Sequence, residues 1–342
     1  MPHPIRTAVI GAGAFGRNHL RVLRELEQSS SPAQLVALVD ASPDVRREAS
    51  ERYSIPAFES VEQLLAADLK LSAAHVCVPT IHHAPVAMQL LAAGLDVLIE
   101  KPFAASRQQA EEVLALAAQR QRIVQIGHLE RFNPAVTATF ERLNRPMFFE
   151  AHRLSLFTPR SLDVDVVLDL MIHDLDIVLA LAQSPVEDVR AVGLPILSLK
   201  TDIANVRVEF ASGAVANFTA SRVSTEQVRK LRLFQPHQYL SLDFARQELL
   251  TIDVDPALAA QIASGFRPPA SVPASHPTTG FDLQKLDLPR AEPLRLEIED
   301  FHRAVLTRTP PRVSGEAGLA ALSLALRINE AIASHQARAG LV

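Results

Sequence analysis

Three ionisable side chains recur at helical spacing in an otherwise apolar segment, VLDLMIHDLDIVLAL at residues 167–181. Apolar residues occur all round this segment, which is typical of a helix with no solvent face. Asp169, His173 and Asp176 are spaced i, i+4 and i+7, so an α-helix places them on one side. A carboxylate one turn from an imidazole holds the ring in one tautomer and raises its basicity, as a general base requires. The spacing therefore predicts an acid–base pair.

Two other interpretations of this helix stay open from the residues alone. Ionised groups inside a protein are costly unless they are paired or do chemistry, so the same residues could form a structural ion pair. A carboxylate and an imidazole could also be two ligands of a metal ion. Because no third ligand accompanies them, the sequence predicts no metal site.

A glycine-rich loop, GAGAFG, stands between a strand-like run and an amphipathic helix near the start of the chain. Gly11, Gly13 and Gly16 fit the G-x-G-x-x-G fingerprint, with Ala14 and Phe15 between the last two. The first glycine allows a tight turn, the second a close approach of backbone to pyrophosphate, and the third helix–strand packing. A strand before the loop and a helix after it supply the structural context that this fingerprint needs. We therefore expect a dinucleotide with its phosphates at the helix N-terminus.

An acidic residue follows the second strand-like run, QLVALVD. Asp40 is where a carboxylate accepts hydrogen bonds from the ribose hydroxyls of NAD. As an alternative, Asp40 caps the following helix, although Ser42 would serve equally well. Arg46 and Arg47 follow closely, so NADP remains an alternative to the predicted NAD.

Strand-like and helical patterns continue to alternate as far as RIVQIGH, at residues 122–128. Such alternation predicts an α/β domain with a doubly wound parallel sheet that binds ligands at the carboxyl ends of its strands. Thr80, His83, Glu100 and Lys101 fall at such ends. Lys101 is either an ordinary surface lysine or an ammonium that is partly shielded and faces the ligand crevice.

The second half of the chain has a different periodicity. Apolar residues alternate with polar ones over residues 206–210 and again over 214–218, with the turn ASGA between them. This pattern predicts a hairpin with one apolar face, within an α+β domain built on a mostly antiparallel, open-faced sheet. The other face of such a sheet is free to form a subunit contact, so we expect a homo-oligomer, a dimer or a tetramer.

These patterns predict two domains, a nucleotide-binding domain at 1–127 and a substrate and oligomerisation domain at 128–342. The proline-rich residues 265–295 are expected to be irregular. Helical periodicity returns at about 294–338, and we expect these closing helices to pack back on the first domain.

Composition excludes several classes of function. The net charge of -4 argues against a nucleic-acid partner. One cysteine, Cys77, excludes an internal disulfide and a cysteine-rich metal site. The chain shows neither a charged-then-apolar leader nor an apolar run of membrane-spanning length, so a cytoplasmic protein without a membrane partner is expected.

Together, the motifs resemble those of the Gfo/Idh/MocA oxidoreductases. They are the glycine loop, Asp40, PTIHH from Pro79 to His83, EKP at 100–102 and DLMIHDLD at 169–176. The resemblance implies that Lys101, Asp169 and His173 face the substrate and the nicotinamide. It implies an NAD-dependent dehydrogenase acting on a CH–OH group.

Two longer segments, GHLERFNPAV at 127–136 and DVDVVLDLMIHDLDIV at 163–178, are similar to one branch of that family. Members of the branch oxidise the 3-hydroxyl of UDP-N-acetylglucosamine. The resemblance implies a 3-keto sugar nucleotide, aminated by a partner aminotransferase for lipid A or surface polysaccharide. Asn133 is a candidate contact to sugar or nicotinamide, and Arg160 is a candidate for the substrate diphosphate.

In this mechanism His173 takes the hydroxyl proton, Asp169 orients the imidazole and Lys101 hydrogen-bonds the reacting oxygen. Whether Lys101 or His173 is the base stays open, because coupled neighbours share a proton. Two alternatives to the UDP-sugar enzyme remain. One is an inositol or free-sugar dehydrogenase of the same family, and the other is a regulator that binds NAD without turnover.

Overall fold

The computed structural model describes residues 4–29, 31–157, 164–264 and 281–340. The chain divides into two compact units, each made of two stretches of sequence. The first unit is Met1–Phe132 with Glu292–Ser323, and the second is Asn133–Ala291 with Leu324–Val342. The domain bounds expected from the sequence, 1–127 and 128–342, stay a prediction.

The first unit contains a parallel sheet whose strands alternate with helices. These elements are β1 (Ile5–Ile10), α1 (Gly16–Glu27), β2 (Ala33–Val39), α2 (Pro43–Tyr53), β3 (Ala57–Phe58), α3 (Val61–Ala66), β4 (Ala73–Val76), α4 (His83–Ala92), β5 (Asp96–Glu100), α5 (Arg107–Arg120) and β6 (Val124–Gly127). All six strands are parallel, in the order β3-β2-β1-β4-β5-β6. The order reverses between β1 and β4, and in doubly wound sheets ligands bind at that point, outside the carboxyl ends of the strands.

Helices cover both faces of this sheet, and the sequence of its strands shows why. Every residue of β4 and β5 is buried, as expected for a central parallel strand with a nearly continuous apolar run. On α1, Leu20, Leu23 and Leu26 recur at helical spacing and are fully buried. The alternation of patterns in the sequence is thus explained by a sheet between two helical layers.

The rest of the chain supplies a second sheet and the closing helices. In chain order these elements are α6 (Pro134–Phe140), β7 (Phe148–Leu156), α7 (Ile172–Ala182), β8 (Val186–Leu194), β9 (Ile203–Phe210), β10 (Val215–Ser224), β11 (Val228–Gln235), β12 (Gln238–Asp243), β13 (Glu248–Val254), α8 (Pro256–Ala263), β14 (Phe281–Lys285), α9 (Pro293–Thr307) and α10 (Gly315–Arg338). The sheet order is β14-β13-β12-β11-β7-β10-β9-β8. Among the described strands of this second sheet, only the pairing of β7 with β10 is parallel. The predicted fold class is confirmed.

The strands of the second sheet bury alternate residues. Val206, Val208 and Phe210 of β9 are buried, whereas their neighbours Asn205 and Arg207 are exposed. This is the one-faced hairpin that the alternation predicts.

One expectation for the second half is wrong within the described residues. Residues 281–285 of the segment expected to be irregular form β14, an edge strand that pairs antiparallel with β13. The physical reason is that FDLQK alternates apolar and polar side chains, which suits an edge strand despite the prolines around it. Residues 265–280 lie outside the described ranges.

The closing segment returns to the first unit. On α9, Leu294, Ile298 and Phe301 join the same apolar core as Leu20 and Leu23 of α1. Just before α10, the carbonyl of Val313 accepts a hydrogen bond from the N–H of Ile126 at 3.1 Å. The division between the two units falls inside α10, after Ser323.

Candidate active site

The glycines of the loop after β1 meet different steric constraints. Gly11 has a φ of +91°, and a Cβ there would lie 2.7 Å from a carbonyl oxygen just after β4. A Cβ on Gly16 would lie 1.9 Å from the carbonyl oxygen of Gly11, so only glycine lets α1 begin there. Gly13 is exposed, has no protein atom within 4 Å of its ideal Cβ, and is followed by the exposed Ala14 and Phe15. Packing therefore explains the outer glycines, and approach of a ligand explains Gly13.

Asp40 lies just after β2 and ties two loops together. One carboxylate oxygen accepts the N–H of Ala12 at 2.8 Å, and the other accepts the N–H of Ser42 at 2.9 Å. The side chain of Ser42 caps α2 by accepting from Val45 N–H, so Asp40 is not needed for that task. A carboxylate has about four acceptor positions, and these two bonds leave the others for ribose hydroxyls.

A cavity of about 720 Å³ opens beside these residues. Gly11, Gly13, Asp40 and Pro79 line it, as the sequence predicts for residues at the carboxyl ends of β1, β2 and β4. One wall of the cavity is apolar, with Val45, Val61, Pro85 and Val86. Polar residues also border it, and the motifs did not predict them as cofactor contacts; they are Ser42, Glu59, Glu62, His82 and Gln89. An apolar slot beside a few polar groups suits a nucleotide base and ribose.

The arginines beside this cavity already have partners in the first unit. Arg46 donates to the carbonyl oxygens of Asp40 and Ala41 at 2.7 and 2.9 Å. Its other terminal nitrogen lies 3.8 Å from a carboxylate oxygen of Glu59. Arg47 pairs with Asp44 on the exposed side of α2. With three carboxylates among its lining residues, those of Asp40, Glu59 and Glu62, the cavity favours ribose hydroxyls over a ribose phosphate.

His83, expected at the cofactor, is buried instead. Its Nδ1 lies 2.8 Å from the carbonyl oxygen of Pro102, and its Nε2 lies 2.8 Å from that of Val78. Burial lowers the pKa of His83, so the ring is neutral and donates to one of these two carbonyls. We therefore assign His83 to the packing of the two loops, whereas its exposed neighbour His82 lines the cavity. Thr80 is half-buried in the 3₁₀ turn before α4.

Glu100 and Lys101, at the end of β5, occupy different environments. The carboxylate of Glu100 is buried, with Oε1 2.8 Å from Nε2 of His19. It therefore faces the interior, and the expected role of Glu100 as a cofactor contact stays a prediction. Lys101 is half-buried, as a shielded amine that still reaches a ligand would be.

The polar helix of the second unit begins with a wider turn than expected. Val167–Met171 form a π-helix, and the chain continues as α7. Asp165 starts the segment by accepting the N–H groups of Val167 and Leu168 at 2.9 and 3.0 Å. Isolated π-turns are frequent at functional sites.

Half-buried Asp169 lies within the π-turn, and half-buried His173 lies in the first turn of α7. Both are partly open to solvent, whereas Asp174 and Asp176 are buried. Asp174 has a structural role, because Arg153 of β7 holds it in an ion pair. Asp174 thus forms a structural ion pair on this helix, and the acid–base role of Asp169 and His173 stays a prediction.

Asn133 and Arg160 are the two remaining predicted substrate contacts. Asn133 is buried, caps α6 by accepting the N–H of Ala135 at 3.1 Å, and donates to the carbonyl of Phe244 at 3.0 Å. These bonds fix the start of α6, and the expected contact of Asn133 with substrate stays a prediction. Arg160 lies outside the described residues.

The described parts of the chain also limit other functions. Among them, no group of three or more His, Cys, Asp or Glu residues is arranged to hold a metal ion. None of the described helices is both long and apolar enough to cross a membrane.

The fold and these residues define a dinucleotide-binding protein with a helix suited to proton transfer. Residues 5–128 match the Gfo/Idh/MocA model described as an oxidoreductase family with an NAD-binding Rossmann fold. Residues 134–235 match the model of the GFO/IDH/MocA C-terminal domain. The chain belongs to the Gfo/Idh/MocA family of NAD-binding oxidoreductases, which confirms the resemblance of its motifs.

Several characterised relatives resemble the chain. A UDP-N-acetylglucosamine 3-dehydrogenase from Acidithiobacillus ferrooxidans is 34% identical over 329 residues, 96% of this chain and 97% of the relative. A solved structure of that enzyme superposes with a TM-score of 0.85 at 35% identity, covering 97% of this chain and 98% of the other. An inositol 2-dehydrogenase from Corynebacterium glutamicum is 28% identical over 55% of this chain and 57% of the relative. A levoglucosan dehydrogenase in complex with NADH has a TM-score of 0.82 at 16% identity, covers 97% of this chain and 98% of the other, and shows the fold alone.

Proposed function

We propose that this protein oxidises the 3-hydroxyl of a UDP-N-acetylhexosamine, UDP-N-acetylglucosamine, to the 3-keto sugar nucleotide with NAD. The observation that carries this proposal is similarity along almost the whole chain to a UDP-N-acetylglucosamine 3-dehydrogenase. The similarity to an inositol 2-dehydrogenase from Corynebacterium glutamicum extends over 55% of the chain, and that to a scyllo-inositol 2-dehydrogenase from Bacillus subtilis over 66%. Full-length similarity includes the second unit, and that unit contains Asp169 and His173.

The residues of the first unit fit the cofactor. The bare backbone at Gly13 leaves room for pyrophosphate at the N-terminus of α1. The spare acceptor positions of Asp40 fit the ribose hydroxyls, and the apolar wall of the cavity fits the adenine. Bound NAD supplies the hydride acceptor for the reaction.

We propose that three side chains handle the proton and the developing charge. His173 accepts the proton of the 3-hydroxyl, and Asp169 orients the imidazole for that transfer. Lys101 donates a hydrogen bond to the reacting oxygen and stabilises negative charge as the C–O bond becomes a carbonyl. The substrate also brings a diphosphate to a chain with a net charge of -4, so arginine donors such as Arg160 are needed locally.

The test is NADH formation with UDP-N-acetylglucosamine, free N-acetylglucosamine and myo-inositol in parallel. We expect turnover with the UDP-sugar and much slower turnover with the free sugar, because nucleotide and diphosphate contacts help to position C3. Turnover with myo-inositol and none with the UDP-sugar would assign the chain to the inositol dehydrogenases. NADH binding without turnover of any sugar would assign it to non-catalytic regulators.

We further propose that the protein forms a homo-oligomer through the outer face of the second sheet. Phe148, Phe234 and Tyr239 form an aromatic cluster there, with ring centroids 5.5 and 4.9 Å apart, and Phe234 is 38% exposed. Exposed apolar clusters of this kind mark association surfaces. Light scattering after size-exclusion chromatography should show a dimer or tetramer that Phe234→Lys weakens. A monomeric wild-type protein would refute the proposal.

The 3-keto product contains a carbonyl that an aminotransferase can convert to an amine. We propose such a partner downstream, with the amino sugar used in lipid A or surface polysaccharide. Incubating the product with candidate aminotransferases and an amino donor should give a 3-amino sugar nucleotide, detected by its mass. The cytoplasmic location expected from the sequence stays a prediction.

A further inference from the structure

A chain of buried polar side chains connects α1 to the end of β5. His19 of α1 is fully buried, and its Nε2 lies 2.8 Å from Oε1 of Glu100. Its Nδ1 lies 2.9 Å from Nδ1 of His75 on β4. We propose that His19, acting through Glu100, is a positioning residue for Lys101 that places this lysine relative to the cofactor-binding loop. The inference rests on the proposed function, because it concerns the role of Lys101 in that reaction.

The carboxylate of Glu100 is held from three sides. His19 contacts one oxygen, and the other accepts the backbone N–H of Lys101 at 3.3 Å. Gly127 of β6 forms the third side, since a Cβ there would lie 2.7 Å from Oε1 and 2.9 Å from Oε2. The glycine thus leaves the space that the carboxylate fills. Lys101 is the first residue after β5, so anchoring the side chain of Glu100, which accepts the N–H of Lys101, fixes the backbone from which the lysine side chain extends.

The hydrogen-bond chain also fixes where the protons of His19 lie. Two Nδ1 atoms 2.9 Å apart share one proton, so His19 and His75 cannot choose their tautomers independently. Burial is the main cause that keeps the pKa of His75 well below its usual range, and the charges of His19 and His302 lower it further. His75 is therefore neutral. The carboxylate of Glu100 needs a donor, so Nε2 of His19 carries the N–H of that ring. In a neutral His19 ring Nδ1 is then the acceptor, and Nδ1–H of His75 donates to it.

The position of His19 gives this bond a functional meaning. His19 lies one turn into the helix whose N-terminus faces the cofactor loop, and Lys101 directly follows Glu100. The bond spans 81 residues of sequence and joins the element that holds the pyrophosphate to the strand end that presents the lysine. A displacement of about 1 Å in a reacting group lowers turnover about 100-fold, so such an anchor affects catalysis without touching substrate.

The experiment compares two substitutions of His19 with a control at an equally buried histidine. His19→Gln keeps an N–H donor at about the position of Nε2, whereas His19→Leu removes it and leaves the carboxylate of Glu100 without that partner. His302→Leu is the control, because both ring nitrogens of His302 lack a hydrogen-bond partner in the described structure. The readouts are kcat with UDP-N-acetylglucosamine, KM for NAD, and deuterium exchange of a peptide covering residues 97–103.

His19→Leu should lower kcat about 10- to 100-fold and change KM for NAD less than about threefold, because the lysine moves and the cofactor loop does not. It should also accelerate exchange in the peptide that contains the N–H of Lys101. His19→Gln and His302→Leu should stay within about threefold of wild-type kcat with unchanged exchange. If His19→Leu does not fold, Gly127→Ala displaces the same carboxylate with His19 intact and should lower kcat similarly.

Wild-type kcat in His19→Leu, an equal loss of kcat in His19→Gln, or the same loss in His302→Leu would each overturn the positioning role. Failure of the wild-type protein to oxidise UDP-N-acetylglucosamine would refute the proposed function instead. In that case the deuterium-exchange comparison still decides the inference, since it needs no substrate. Unchanged exchange in both His19→Leu and Gly127→Ala would then overturn it.

Discussion

Arg153 and Asp174 form two parallel hydrogen bonds inside the second unit, Nε to Oδ2 at 2.9 Å and Nη2 to Oδ1 at 2.8 Å. Their side chains are only 4% and 3% exposed. The guanidinium also lies over the ring of Phe244, 5.2 Å from its centroid. One of the carboxylates on the apolar helix is thereby accounted for, since it anchors α7 to β7. Asp169 and His173 remain the candidates for chemistry on this helix.

Breaking this pair should destabilise the protein strongly. Asp174→Asn leaves the buried guanidinium without its counter-charge, and we expect a loss of about 3–5 kcal/mol of unfolding free energy. Urea denaturation measures it. Asp188→Asn is the matched control, since Asp188 pairs with Arg190 on the surface and its loss should be barely measurable. Equal effects of the two substitutions would contradict the structural role of Asp174.

Two glycines of one loop should respond differently to the same substitution. Gly13→Ala places a methyl group where no protein atom lies within 4 Å, so the unfolding free energy should change by less than about 0.5 kcal/mol. NADH binding should weaken about tenfold, because the methyl group stands where backbone approaches pyrophosphate. Gly16→Ala should instead destabilise the fold by about 1–3 kcal/mol or more, since its Cβ would lie 1.9 Å from a carbonyl oxygen. Denaturation and NADH fluorescence titration of both variants test this contrast.

The sequence predicted features that arise from local patterns. Alternating strands and helices specify the parallel sheet, and alternating apolar and polar side chains specify the one-faced hairpin. Each periodicity shows which side chains of an element are buried. Side-chain direction was harder to predict. His82 and His83 are adjacent and alike, and only the carbonyls of Val78 and Pro102 determine which one is buried.

Long-range packing explains the remaining differences. The inward direction of Glu100 depends on His19 and Gly127, which come from other parts of the chain. Likewise, Arg153 of β7 pairs with Asp174 among the carboxylates of α7, and the spacing of the residues does not reveal this contact between strand and helix. The π-turn before α7 leaves no clear mark in the sequence, since its residues also suit an α-helix.

Cofactor preference should depend on Asp40. Replacing it with serine removes the carboxylate that repels a 2′-phosphate and accepts the ribose hydroxyls, so NADH affinity should fall about tenfold while NADPH affinity rises. Fluorescence titration with both cofactors measures the change. Asp44→Ser, on the exposed side of α2, should alter neither affinity. Equal or tighter NADPH binding by the wild-type protein would show that Asp40 does not set the preference.

Substitution of His173 should lower turnover strongly and cofactor affinity only slightly. His173→Asn removes the proposed base, and turnover with UDP-N-acetylglucosamine should fall by about 10²–10⁴ with NADH affinity nearly unchanged. His335→Asn on α10 is a control outside the proposed machinery and should retain wild-type turnover. A folded His173→Asn variant with full activity would assign the helix a purely structural role. The pH dependence of turnover, measured for Lys101→Met and His173→Asn side by side, shows which of the two residues is the base and which donates the hydrogen bond.

The last prediction concerns stability in mild acid. Burial lowers the pKa of His302 from 6.5 to about 4, and the ring of His75, also buried and neutral, lies 6.2 Å away. Below pH 6.5 the unfolded chain binds a proton at His302 that the folded protein excludes, so stability falls as the pH drops towards 4. From pH 7 to pH 5 this group should account for a loss on the order of 2 kcal/mol of unfolding free energy.

His302→Leu removes the titrating ring without breaking a hydrogen bond of the described structure, and the stability of this variant should therefore depend less on pH. Urea denaturation of both proteins at pH 7, 6 and 5 provides the measurement. Parallel pH profiles for wild type and variant would show that His302 takes up its proton as readily folded as unfolded.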